Sequence, residues 1–258
     1  MSEHATVSAP ENGGFLTELR LAVSFLTIIP VIDQRRASEY TVANSFAWFP
    51  VVGCLIGIAL AAEDWLLAHV FAQVIRSVLI VISLTVITGA VHLDGLADTA
   101  DALGAGRDRL RALDILRDSR VGTFGASAIF FDLTLKILAL STLAGDRRYA
   151  ALIVAPMLAR HVMTVVGSGL PYLRESGAGS TLLNAHGSQR TLLIMCGMIF
   201  VMGVLLPFLR LEVTLGVAYA IMFAMRLFYR RWLGGVTGDL IGACGELVEI
   251  AVLVAMAS

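Results

Sequence analysis

Val91–Gly125 reads VHLDGLADTADALGAGRDRLRALDILRDSRVGTFG, and the character of this stretch decides what the rest of the chain can be. It holds Asp94, Asp98, Asp101, Asp108, Asp114 and Asp118, together with Arg107, Arg109, Arg111, Arg117 and Arg120. Those are 6 of the 20 acidic and 5 of the 19 basic residues in the chain. Long apolar segments flank the stretch on both sides. The 258 residues are 57% hydrophobic and only 15% charged, with a mean hydropathy of +0.82. A soluble domain carries about 25% charged residues. A polar island in so apolar a chain reads as a surface segment between membrane spans.

Working outward from the island gives the fold class. A helix that crosses a bilayer needs about 20 apolar residues. Segments near that length run over 41–62, 70–91, 123–144, 149–170, 191–209, 213–228 and 239–257. The chain is therefore expected to be all-α: a polytopic helical membrane bundle of six to seven transmembrane helices. Residues 15–258 form one transmembrane domain behind a polar tail, 1–14. Phe15–Pro30 is apolar but contains Glu18 and Arg20, which suits an amphipathic helix at the interface. Pro50 predicts a kink in the first span, Glu63–His69 predicts a short connection, and Arg76 must snorkel or face protein.

Composition also excludes some functions. A net charge of -1 argues against a nucleic-acid partner. Cys54, Cys196 and Cys244 are too scattered for a disulfide framework or a zinc site. The tail lacks a basic n-region, so no cleavable signal peptide is expected. With the N-terminus inside, twelve arginines fall in cytoplasmic segments, against Arg147, Arg148 and Arg210 outside. This orientation gathers every motif-bearing loop on the cytoplasmic face.

Three constellations carry chemistry. Asp94, Asp98 and Asp101 are spaced i, i+4, i+7, which confines them to about 60° of a helix. Like charges so placed repel, and nothing else on the stripe offsets them. A divalent cation with a taste for hard oxygen ligands, Mg²⁺ or Mn²⁺, would. The competing reading is a solvated acidic face. The position at a membrane edge, amid Leu93, Leu96, Ala97 and Ala100, disfavours it. Next, Asp118–Gly125, DSRVGTFG, suits a tight turn into a helix whose N–H groups favour anions, with Arg120 available to phosphate. Last, Gly234–Glu249, GGVTGDLIGACGELVE, sets Asp239, Glu246 and Glu249 on one side of a span. A charge at a span centre costs about 2.5–3.5 kcal/mol on insertion scales, so Glu246 and Glu249 must find a cation or an Arg, or be protonated. Arg160 is a candidate partner for those acids or for phosphate. Asp132 and Lys136, at i and i+4, are expected to neutralise each other. His92 reads as structural. Pro171–Gly179, with Arg174, reads as a substrate loop.

Acidic stripe, arginines and Gly-rich turns at one face suggest metal-assisted phosphoryl transfer. HLDGLADTADAL (His92–Leu103), DSRVGTFG (Asp118–Gly125) and GGVTGDLIGACGELVE (Gly234–Glu249) together resemble the cobalamin synthase family, the adenosylcobinamide-GDP ribazoletransferases. SFLTIIP (Ser24–Pro30) and WFPVVGCLIG (Trp48–Gly57) fit its N-terminal pattern, and the order holds from about Phe15 onward. The resemblance implies a Mg²⁺-dependent, multi-pass enzyme of the bacterial inner membrane with its active site facing the cytoplasm. It implies that a hydroxyl of α-ribazole, or of its 5′-phosphate, attacks adenosylcobinamide-GDP and releases GMP, the last step of cobalamin nucleotide-loop assembly. Reading the residues against that chemistry, Asp94, Asp98 and Asp101 are the expected Mg²⁺ ligands, and Asp239 and Glu246 complete the metal site or hold a second ion. Asp118 is the expected base, and Ser119, Arg120, Arg160, Arg174 and Thr237 the expected substrate contacts. A homo-oligomer is left open. Two rivals are a CDP-alcohol-type membrane phosphotransferase and a cation- or proton-coupled secondary transporter. The first needs an Ala-Arg pair after its Asp-Gly, where this chain has Ala97-Asp98. The second needs no such polar island.

Overall fold

The structure is a computed structural model and describes residues 14–32, 38–106, 108–118, 120–174 and 189–258. The described chain is helical, apart from one isolated parallel bridge between Tyr172 and Val236. The N-terminal helix α1 (Phe15–Leu26) is amphipathic as expected and buries Leu21, Ala22 and Leu26. Its Glu18 is also buried, and accepts the Trp48 indole N–H at 3.3 Å. Then α2 (Glu39–Ser45) passes through a 3₁₀ turn, Phe46–Trp48, into α3 (Phe49–Leu67). Pro50 sits in the first turn of α3, inside the Tyr40–Leu67 unit. Its missing N–H has no α-helical partner to lose there, so it starts the α-helix that follows the 3₁₀ turn.

The remaining helices are α4 (Gln73–Ile87), α5 (Val91–Leu103), α6 (Arg109–Ile115), α7 (Thr123–Thr142), α8 (Gly145–Val166), α9 (Gln189–Leu205), α10 (Phe208–Trp232) and α11 (Gly238–Ala257). Among the described residues, five units are long and apolar enough to cross a membrane: Tyr40–Leu67, α7, α8, α10 and α11. The α4–α5 pair passes the same criterion jointly but is bent by 89°, and α9 contributes a shorter apolar helix. The protein is thus a polytopic helical membrane protein.

The centre of the bundle is α8, 15 of whose 22 residues are buried. It packs against α3 and α11. Lipid tails are as apolar as leucine, so helices in a bilayer associate through close packing of small residues. Gly53 and Gly57 of α3 provide it: a Cβ on Gly57 would stand 2.5 Å from Ile153 Cα of α8.

At the end of the bundle away from the acidic stripe, α3 continues through the expected connection and buries Asp64. Asp64 pairs with Arg148 at 2.6 Å and with Arg76 at 2.9 Å. Arg148, read from sequence as an outer-loop residue, is 1% exposed. It also donates to Ser77 Oγ at 3.1 Å and to the Leu140 carbonyl, so one guanidinium joins α3, α4, α7 and α8.

The bend that makes the site lies between α4 and α5. Gly89 and Ala90 take positive φ in succession, 61° and 56°. Left-handed backbone costs a non-glycine residue about 1–2 kcal/mol, a strain that Ala90 carries. The turn lays α5 across the N-terminal ends of α7 and α11, outside the five crossing helices.

Candidate active site

Each member of the acidic stripe has a different setting. Asp94 is exposed and Asp98 half-buried. Asp101 reaches the start of α7, where its carboxylate accepts the N–H of Gly122 at 2.7 Å and of Gly125 at 2.9 Å. These are orphan donors of a helix N-terminus, so α5 supplies the cap of α7. The carboxylate fits because both positions lack a side chain: a Cβ on Gly122 would stand 2.5 Å from Asp101 Oδ1.

The other half of the site comes from α11. Gly95 of α5 crosses the first turn of α11 so closely that a Cβ there would meet Asp239 O at 2.7 Å and Asp239 Cα at 2.9 Å. Thr237 caps α11, accepting the Leu240 N–H at 3.3 Å and donating to Asp239 Oδ2 at 3.3 Å. Arg174 donates to the Asp239 carboxylate and, at 3.0 Å, to the Leu116 carbonyl at the end of α6. The Arg174 segment is itself fixed. Leu173 N–H donates to Val236 O, and Val236 N–H to Pro171 O, each at 2.9 Å. This bridge holds Tyr172 half-buried at Gly238. Burial raises its phenol above the ordinary value, so Tyr172 stays a neutral hydrogen-bond donor. Sequence reading missed Tyr172; its only signal was an aromatic ring at the start of a Gly- and Ser-rich loop.

Asp98 records the electrostatics of the whole site. Its pKa is raised from 3.8 to about 6, by burial first and then by the charges of Asp94 and Asp239; Arg174 opposes the rise and Asp101 adds to it. Such a carboxylate gains from any cation placed among its neighbours. Asp118 is the reverse case. Arg120 grips it with Nη2–Oδ2 at 2.6 Å and Nε–Oδ1 at 3.0 Å. These hydrogen bonds hold the Asp118 carboxyl below the usual carboxylate range. The Arg120 side chain is 86% exposed. Ser119 lies outside the described residues.

Glu246 and Arg160, both expected at the site, stand elsewhere. Glu246 and Glu249 are buried in the interior with Lys136, whose ammonium pairs with Glu246, with Glu249 at 3.1 Å and with Asp132 at 3.1 Å. Arg160 pairs with the second oxygen of Glu249. The expected Asp132–Lys136 pair is present but is one arm of a larger cluster. Of the five expected metal ligands, the structure brings Asp94, Asp98 and Asp239 to the α5–α11 crossing, uses Asp101 to cap α7 and puts Glu246 on Lys136. Of the expected substrate contacts, Arg174 and Thr237 join that crossing. Arg120 is with Asp118, and Arg160 is with Glu249.

Among the described residues, no three His, Cys, Asp or Glu side chains already form a ligating cage. Mg²⁺ does not require one, since it usually takes one or two carboxylates along with substrate phosphates and water. Asp94 and Asp98 are suitable: hard oxygens, side by side, with their charges mutually unfavourable.

Comparison with known proteins gives this arrangement a family. Residues 18–257 match the family described as Cobalamin-5-phosphate synthase. The chain belongs to that family. It is 38% identical over 239 residues to an adenosylcobinamide-GDP ribazoletransferase of Syntrophobacter fumaroxidans, covering 92% of this chain and 96% of the relative. It is 36% identical over 241 residues to the protein of that name from Desulforamulus reducens, covering 92% and 94%. The corresponding protein of Alkalilimnicola ehrlichii is 37% identical over 244 residues, at 92% and 94% coverage. No solved structure matches the chain. The α5–α11 crossing is where the His92–Leu103 and Gly234–Glu249 segments meet.

Proposed function

We propose that this protein is an adenosylcobinamide-GDP ribazoletransferase that joins α-ribazole, or its 5′-phosphate, to adenosylcobinamide-GDP with release of GMP, at a site on the cytoplasmic face of the inner membrane. The observation that carries the reading is the packing of the Asp94–Asp98 stripe against Asp239 and Arg174 at one end of the bundle. An acidic cradle beside an arginine is what a metal-bound diphosphate needs: the acids hold the cation, and the guanidinium faces phosphate oxygens. Mg²⁺ would be held by Asp94 and Asp98 together with substrate phosphate and water, and when bound it would offset charge on the diphosphate.

The side chains then have distinct tasks. Asp101 fixes the start of α7 and keeps α5 in register, so it acts on the site through position. Arg174 and the Tyr172 hydroxyl face the diphosphate from the Val236 bridge. Asp118 is the proton acceptor for the attacking hydroxyl. Arg120 keeps it ionised and thus able to take a proton, at some loss of basicity. The asymmetry of arginines supports the cytoplasmic orientation.

The test is GMP release from membranes given both precursors and Mg²⁺, repeated after EDTA treatment. Metal-dependent release that disappears in Asp98→Ala and Asp239→Ala, with both variants still membrane-inserted, is the expected result. Release that survives EDTA, or an active Asp98→Ala protein, would refute the reading.

A further inference from the structure

The site does not explain the buried cluster beneath it. Lys136 is the only lysine in the chain, and its side chain is 4% exposed within α7. It meets three carboxylates, Asp132 on its own helix and Glu246 and Glu249 on α11. Arg160 of α8 closes the cluster on Glu249, with side chains 2% and 1% exposed. Stability is a poor reason for this arrangement. Five ionisable groups removed from water lose hydration that their pairing only partly returns, and packed apolar side chains would do as well or better. What ion pairs supply and apolar contacts do not is direction: a greasy α7–α11 contact tolerates sliding and rotation, whereas an ammonium among three carboxylates does not.

That direction matters because of what α11 carries. Glu246 lies seven residues beyond Asp239, about 10 Å further along the same helix axis. The other two sides of the assembly are already fixed. Asp101 joins α5 to the start of α7. Gly95 seats α5 on Asp239, and His92 of α5 packs on Gly242 of α11. α8 and α10 also pack on α11, and the α7–α11 contact is the side that the ion cluster controls. We propose that Lys136 is the positioning residue of this active site. By holding Glu246 and Glu249 it sets the depth and rotation of α11 against α7, and so the placement of Asp239 against Asp94 and Asp98. The kinetic consequence rests on the function proposed above; the geometric one does not.

Two readouts separate these parts. Spin labels at Leu138→Cys on α7 and Val254→Cys on α11, both exposed sites on the lipid side, report the α7–α11 relation. They are placed in a Cys54→Ala, Cys196→Ser, Cys244→Ala background. The parent should give one narrow distance distribution, and Lys136→Met a broadened or displaced one. In the unlabelled enzyme, Lys136→Met should lower kcat by about 10²-fold, the scale of a 1 Å misplacement, with a smaller change in KM for the diphosphate substrate. Lys136→Arg should recover most of the loss. Should Lys136→Met fail to insert, the triple variant Lys136→Met, Asp132→Asn, Glu246→Gln leaves only the balanced Arg160–Glu249 pair and should insert with the same broad distribution. A narrow, parent-like distribution in whichever variant inserts would overturn the proposal, as would a loss of kcat at unchanged distance. If the wild-type chain released no GMP, the function reading would fall while the distance measurement still decided the role of Lys136.

Discussion

Gly95→Ala adds one methyl group at the point where the two halves of the site touch. The added Cβ would lie 2.7 Å from the Asp239 carbonyl oxygen and 2.9 Å from Asp239 Cα. Ordinary contact begins at 3.4 Å, so the first distance falls short by about 0.7 Å. The opposing atoms are backbone and cannot swing aside as a side-chain tip would. The two helices must therefore separate by most of that 0.7 Å, carrying Asp239 away from Asp94 and Asp98. A misplacement approaching 1 Å costs about 10²-fold in rate, equivalent to about 2.7 kcal/mol of transition-state stabilisation. The substitution raises helix propensity by up to about 1 kcal/mol, so the protein should still insert. GMP release by purified Gly95→Ala protein, normalised to monodisperse material in detergent, should fall about 10²-fold. Gly216→Ala is the control: it is also inside a helix, α10, with nothing within 4 Å of its added Cβ. It should retain full activity. A Gly95→Ala protein as active as the Gly216→Ala control would show that the α5–α11 crossing is not the reacting centre.

Other expectations follow from single groups. Asp98 has its pKa raised to about 6, so its ligand-competent carboxylate is lost as pH falls through about 6. The acid limb of activity should lie there at low Mg²⁺ and move to lower pH as Mg²⁺ rises, read from rate–pH profiles at several metal concentrations. Because a raised carboxyl pKa disfavours the folded state above the ordinary value of 3.8, Asp98→Asn should raise the thermal midpoint at neutral pH and lose that advantage near pH 4. Asp101→Ala removes the cap of α7 and should cost about 1–2 kcal/mol, visible as a lower unfolding midpoint in detergent. Ala90→Gly relieves the left-handed residue at the α4–α5 bend and should leave stability equal or higher, where an ordinary helical alanine would lose by the same change. Asp118→Asn should lower kcat by about 10²-fold or more without changing the Mg²⁺ concentration for half-maximal rate.

The sequence alone determined the class of the protein and where its chemistry sits along the chain. Apolar segments of spanning length, with charge withdrawn into one island, admit a helical membrane bundle and little else, because unsatisfied backbone is too costly in lipid. The i, i+4, i+7 spacing of Asp94, Asp98 and Asp101 gave their common face, because helical periodicity is local. What each acid does was decided between helices. Nothing near Asp101 in sequence reveals that it caps a helix starting twenty-two residues later. Glu246 and Asp239 look equivalent along one helix, yet only Asp239 reaches the face, and Glu246 meets Lys136 from another helix in the interior. Arg148 read as a loop cation until the α3–α8 packing buried it on Asp64. Pairing of charges far apart in sequence depends on helix register and crossing, and those are set by which small residues allow backbones to touch. Val91–Gly125 announces a site by its composition; that Asp94 and Asp98 share it with Asp239 is a property of the crossing at Gly95.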